Sequence, residues 1–212
     1  MKNLYIITLI TLITFILYIT HNTKEYFTIN KKTIILLGDS VFNNNSYVEK
    51  GKAVNELLNK KADKNTTIIS LARNDSTINN IYQQLENVNM DFNNKLTTVF
   101  LSVGGNDIIN SQQKKLYDII QQYNTLICAI TTKLPNIKLI LLNVYYPPNT
   151  SKYDSLIDKW NTNLELEYKY NNNKNIYILN LANLLKEPSD FVFDIEPSII
   201  GGEKIANKIL IM

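Results

Sequence analysis

The 212-residue sequence predicts a single doubly wound α/β domain, with a five-stranded parallel sheet, helices on both faces and an apolar segment ahead of it. Three observations carry that prediction. Five short runs are continuously apolar, as strands covered on both faces must be. The longer stretches between them repeat apolar residues every three or four positions, the spacing of an amphipathic helix. The two kinds alternate along the chain, and strand–helix alternation of this rhythm builds a parallel sheet.

In chain order, the first element is "LYIITLITLITFILYIT" (4–20), apolar or threonine throughout and without charge. It is slightly shorter than the ~20 residues of an ideal transmembrane helix and longer than the usual core of a signal peptide. No small-x-small cleavage site follows it, so residues 1–22 read as an uncleaved single-pass anchor and 23–32 as a linker. The alternative is a cleaved signal peptide and a secreted domain. Lys2 precedes the segment and Lys24, Lys31 and Lys32 follow it, a weak lean toward a cytoplasmic domain. His21 sits at the segment's edge.

The domain proper spans 33–212. Its strands are "TIILL" (33–37), "TTIISL" (66–71), "TTVFLSV" (97–103), "IKLILLNV" (137–144) and "NIYILNL" (175–181). Helices are expected over 48–61, with Val54, Leu57 and Leu58 inward, and over 113–133, where Leu116, Ile119, Tyr123, Ile127 and Ile130 recur. Another covers 154–169 through Leu156, Ile157, Trp160 and Leu164, and a last one follows Gly202.

Composition narrows the function. Apolar residues make up 45% and charged ones 19%, which is globular rather than disordered, and the net charge of +3 shows no basic stripe with interleaved aromatics. Nucleic acid is therefore not an expected partner. The lone cysteine, Cys128, rules out an intrachain disulfide and reads as a small core residue. His21, the single histidine, lies outside the domain, which removes most metal sites and every serine–histidine pair within it. Asn44, Asn65, Asn74 and Asn149 open N-x-S/T triplets, which arise easily by chance in a chain this rich in asparagine.

Doubly wound sheets place their sites at the carboxyl ends of the strands. "GDS" (38–40) follows the first strand, where a glycine permits a tight exit and leaves the Ser40 hydroxyl at the sheet's edge. "SVGGND" (102–107) follows the third, with glycines that let a ligand approach the backbone and Asn106 as a neutral amide donor. Taken in this order on two buried strands, the motifs resemble those of the SGNH/GDSL hydrolase family over residues 33–212.

That resemblance implies a flavodoxin-like fold, a serine nucleophile and no cofactor or metal. It makes Ser40 the nucleophile. It assigns the oxyanion hole to the Ser40 N–H, to Gly105 and Asn106, and to a residue after the second strand. "NDST" (74–77) is the best match there and puts Asp75 where the family has glycine. Aspartate tolerates left-handed backbone angles better than most residues, but its carboxylate must turn away from an oxyanion.

The family closes on "DxxHP". Here the chain reads "FDIEPSIIGGEKIA" (193–206), with Glu196 in the histidine position and Asp194 one residue out of register for the orienting acid. A solvated glutamate is about two pKa units more acidic than histidine and correspondingly the weaker base. Burial raises a carboxyl pKa, and Phe191, Phe193 and Ile195 flank Glu196 in sequence. Tyr145 and Tyr146 follow the fourth strand and are expected to line the substrate side, or else to form an ordinary rigid loop.

Two functions follow. One is a membrane-tethered esterase or acyltransferase acting on a small-molecule, glycan or lipid acyl ester, with Glu196 as base. The other is a module that binds an acyl or glycan ligand with weak or no turnover.

Overall fold

Strand β1 (Lys32–Gly38) runs beside β3 (Thr97–Ser102) at the centre of a parallel five-stranded sheet. β2 (Thr66–Ser70) flanks β1 on its other side, and β4 (Lys138–Leu142) and β5 (Ile176–Leu179) continue outward from β3. The computed structural model describes residues 11–16, 18, 31–110, 116–168 and 175–212. The strand order β2-β1-β3-β4-β5 reverses direction between β1 and β3, and a crevice opens at such a switch point. Register there pairs Ile35 with Val99 and Gly38 with Ser102.

Alternating side chains of each strand serve two cores. Ile35 and Leu37 of β1 join Val99, Leu101, Leu139 and Leu141 on one face. Helices α2 (Ile78–Glu86), α4 (Leu116–Lys133) and α5 (Asp154–Tyr168) cover it. Leu36, Phe100, Ile140 and Leu142 face the other way, under α1 (Val54–Lys61) and α7 (Ile199–Leu210). Both strand faces are therefore apolar, which is why these runs read as continuous. Two short helices, α3 (Gly105–Ile109) and α6 (Leu181–Leu184), complete the set together with a hairpin of β6 (Phe191–Val192) and β7 (Glu196–Pro197).

Several expectations need correction. The polar stretch "INNIYQQLE" forms α2, started by Thr77 with Asn80 reaching back to its N–H. α1 begins at Val54 rather than 48, because Glu56 ties back to the N–H groups of Gly51 and Ala53 and stops the helix there. α7 begins before the glycines: Ser198 caps it through the N–H groups of Ile200 and Gly201. Position 201, in the first turn, is glycine because a Cβ there would collide with the Asp190 carbonyl. Cys128 is exposed on α4 and is no core residue.

The expected anchor (4–20) and His21 fall largely or wholly outside the described residues. Residues 11–16 are helical and exposed, and among the described residues no helix is long and apolar enough to cross a membrane. Lys31–Met212 form one unit.

Gly38 is the tightest point of the sheet. A Cβ on it would collide with the Ser102 carbonyl oxygen on β3. Buried Gln84 of α2 brackets the same residue, accepting from the Gly38 N–H at 2.7 Å and donating to its carbonyl at 2.8 Å. Gly38→Ala should destabilise the fold by about 2 kcal/mol or more, because backbone rather than a movable side chain must give way. Urea denaturation monitored by circular dichroism measures this.

Candidate active site

The chain leaves β1 in a tight turn, in which the Asp39 carbonyl accepts from the N–H groups of Phe42 and Asn43. Ser40 sits in that turn, nearly buried, at the switch-point crevice. Asp39 beside it points back into the sheet end, where its Oδ1 accepts from the Val41 N–H and the Ser102 hydroxyl, each at 3.1 Å. Burial pushes the Asp39 carboxyl up from 3.8 to about 7, against the lowering effect of those two donors, and the nearby charge of Glu196 adds to the rise.

Glu196 reaches Ser40 from the far end of the chain. It opens β7, pairs with Val192 across the hairpin and is held from three sides. Fully buried Asn44 donates to the Pro197 carbonyl at 2.9 Å and accepts from the Val54 N–H at 2.9 Å. The Tyr145 hydroxyl donates to the Ile195 carbonyl at 2.8 Å, with its ring against Phe191. Behind the hairpin, fully buried Asp190 pairs with Lys204 of α7 at 2.7 Å and accepts from the N–H groups of Lys186 and Glu187.

So held, the Glu196 carboxyl is partly withdrawn from water, which raises its pKa from 4.5. The Ser40 hydroxyl pulls it back down as a hydrogen-bond donor, and the Asp75 charge pushes it up. Among the described residues, Glu196 Oε2 is buried without a hydrogen-bond partner. A carboxyl so placed gains more from holding a proton than a solvated one does, which is the direction of its shift.

The opposite wall comes from the loop after β3. Gly104 adopts φ 115°, with the Trp160 ring where a side chain would be. Gly105 opens α3, and a Cβ on it would meet nothing within 4 Å. The Asn106 amide donates to the Ser76 carbonyl at 3.0 Å, which leaves its second hydrogen for another acceptor. Asp107 accepts from the Ile78 N–H and so caps α2. Between the walls lies a cavity of about 630 Å³, part of it open to solvent, lined by Ser40, Glu196, Gly105 and Asn106 and by apolar residues such as Ile108 and Leu142.

Ser40, Glu196, Gly105 and Asn106 are thus brought together. Asp194 is not with them. It is exposed and accepts from the Asn149 amide at 2.7 Å, because Phe193 and Asp194 both take positive φ (49° and 67°) and turn the loop outward. Asp75 has φ 55° and an exposed side chain outside the cavity lining. Tyr145 lines the cavity with its hydroxyl committed to Ile195, whereas Tyr146 stands outside it, bonded to Asp158. Asn44, in an N-x-S triplet, is a buried strut with both amide atoms engaged.

Sequence reasoning missed Gln84, Asn44, Ser102 and the Asp190–Lys204 pair. Only Asp190 carried a signal, as a carboxylate directly before the apolar run 191–193 that leads into the last block.

No protein-family model matches the sequence, and no curated protein matches it. Solved structures do. A lipolytic protein of the G-D-S-L family from Veillonella parvula superposes with a TM-score of 0.69 at 19% identity, covering 85% of this chain and 97% of that one. The esterase EstA from Pseudoalteromonas sp., in a structure inhibited by monoethylphosphonate, gives 0.63 at 16% identity over 84% and 94%. A family 3 carbohydrate esterase from Clostridium thermocellum gives 0.54 at 24% identity over 84% and 92%. This chain has the fold of the SGNH/GDSL hydrolases.

Two measurements test the geometry. A carboxyl whose pKa is raised on folding binds its proton more tightly in the native state. Its contribution to stability is therefore full below the unfolded value and is lost as pH rises through the folded one. For Asp39 that window runs from 3.8 to about 7. Urea unfolding of Asp39→Asn should show a flatter stability profile across the window than the parent chain. Tyr145→Phe, which removes only the hydroxyl bond to Ile195, should cost about 1 kcal/mol in the same assay.

Proposed function

We propose that the chain is a membrane-tethered serine hydrolase of carboxylic esters, with Ser40 as nucleophile and Glu196 as the base in place of histidine. One observation carries the reading: a partly desolvated glutamate with an unsatisfied buried oxygen lies against the hydroxyl of a serine at the switch point of the sheet. The esterases that share the fold support a carboxylic ester as substrate.

The Ser40 Oγ attacks the ester carbonyl carbon while its proton passes to Glu196. Negative charge gathers on the carbonyl oxygen, within reach of the Ser40 and Gly105 N–H groups and the free hydrogen of the Asn106 amide. Fixed donors of this kind stabilise the transition state without reorganising. Glu196 then returns the proton to the departing alkoxide, leaving an acyl ester on Ser40. Water, deprotonated by the same carboxylate, attacks that ester; as the bond to Ser40 Oγ breaks, the carboxylic acid leaves and Glu196 returns the proton to the serine.

A base must hold no proton before it can take one, and raising its pKa strengthens it. Burial raises Glu196 toward the strength the reaction needs. The carboxyl of Asp39, kept largely protonated below about pH 7, adds little second negative charge beside the forming oxyanion.

The tether is read from residues 4–20, of which the helical part at 11–16 exposes Leu12, Ile13, Phe15 and Ile16. Such a surface suits lipid better than water.

A fluorophosphonate probe should label the wild-type chain and leave Ser40→Ala unlabelled. Glu196→Gln should label on the order of 100-fold more slowly, the typical contribution of a general base. Wild-type labelling should slow as pH falls through the Glu196 pKa, which lies above the ordinary 4.5, and Glu196→Gln should lose that dependence. A folded wild-type chain that never labels would reduce the site to a binding pocket.

A further inference from the structure

We propose that the amino end of the sheet is a docking face for an anionic bilayer, so that the tethered domain stands with its active site turned away from the lipid. The proposal rests on the tether read above. In a parallel sheet the two strand ends are chemically separate surfaces. The carboxyl ends gather Asp75, Asp107, Asp194 and Glu196 among scattered exposed cations such as Arg73 and Lys152. The amino ends open into a cleft of about 920 Å³ lined by Lys32, Lys61 and Lys95.

Lys60 and Lys208 occupy the last turns of α1 and α7 at the same end, and Lys64 the turn before β2. All six lysines are exposed. Opposing them at the cleft is Asp63, with exposed Glu86 and Asp91 ahead of β3 at the same end of the sheet. Lys61 donates to the Asn207 side chain, and among the described residues none of the six is paired with a carboxylate, the Asp190–Lys204 pair lying elsewhere. Their charge is therefore presented outward.

The chain enters the domain at this face. Lys32 begins β1 and Lys31 directly precedes it, with residues 21–30 between them and the apolar segment. Basic residues next to an inserted segment are attracted to anionic headgroups, each strengthening the contact about fivefold. The charge complements the lipid, and the tether keeps the two at high effective concentration. At ~3.3 Å per residue, β1 then lifts Ser40 roughly 25 Å above the headgroups. An acyl chain within the same bilayer is out of reach at that height. The substrate is an ester on a soluble or surface-projecting molecule.

The test uses the full chain with Cys128→Ser and one new cysteine, at exposed Asn136 near the amino end of β4 or at exposed Asn79 in the first turn of α2. A fluorophore there transfers energy to headgroup-labelled lipid in vesicles of phosphatidylcholine, with or without phosphatidylglycerol. With phosphatidylglycerol, transfer from Asn136→Cys should exceed that from Asn79→Cys several-fold. Without it, or in the triple variant Lys32→Glu, Lys61→Glu, Lys95→Glu with an unchanged circular dichroism spectrum, the difference should vanish. Equal transfer in both lipids, or stronger transfer from Asn79→Cys, overturns the proposal, as does asymmetry that needs a soluble polyanion. Flotation with neutral vesicles reports the tether separately. A chain that floats without lipid-dependent asymmetry loses only the docking face, and a chain that floats with neither vesicle loses both. None of these readings depends on Ser40 chemistry.

Discussion

Everything at the carboxyl end of the sheet depends on the approach of β1 to β3 at Gly38. No side chain fits between that residue and the Ser102 carbonyl, so the two strand ends are locked at a fixed separation. The lock sets where Asp39 meets the Ser102 hydroxyl, and hence where Ser40 emerges. Gln84 repeats the constraint from α2, satisfying both backbone groups of Gly38 and donating to the Ser76 hydroxyl at 3.1 Å. The carbonyl of Ser76 in turn orients Asn106. Ser40 and the Asn106 amide thus share one chain of contacts from a single point of close packing.

Glu196 is placed by different means. It lies on a two-residue strand that no central strand supports, so its position is over-determined by contacts instead. Asn44 holds it to the first loop, Tyr145 to the exit of β4, and Asp190 with Lys204 to α7. A carboxyl proposed to stand in for an imidazole needs that many struts. Its pKa depends on how far it is withdrawn from water, and a loosely held glutamate would swing out and become an ordinary weak base. The surrounding acids complete the arrangement: Asp39 is buried and largely neutral below about pH 7, while Asp75 is turned to solvent.

The sheet was legible because its signal is dense. Strand runs such as "IILL" and "VFLS" are apolar on both faces, and the structure buries both. Boundaries were less legible, since helix ends depend on caps such as Ser198 and Glu56 that periodicity does not register. α2 was missed because only Ile78, Ile81 and Leu85 carry its apolar face among asparagines and glutamines. At the site, residues that follow a strand directly could be placed from sequence. Asp194 could not, because its direction hangs on two consecutive positive φ angles that no motif encodes. Gln84 and Asn44 escaped notice for a different reason. Their work is done by ordinary amides whose partners lie far away in sequence.

Gly105 has one more consequence. Unlike Gly38, Gly104 and Gly201, it has no protein atom where its side chain would be. The fold does not require glycine there, so the vacancy belongs to whatever enters the cavity. Larger residues at 105 would shrink the space from the α3 side without disturbing the packing beneath. Position 105 is a wall of the cavity where the chain can trade ligand size against access while the rest of the architecture stays as it is.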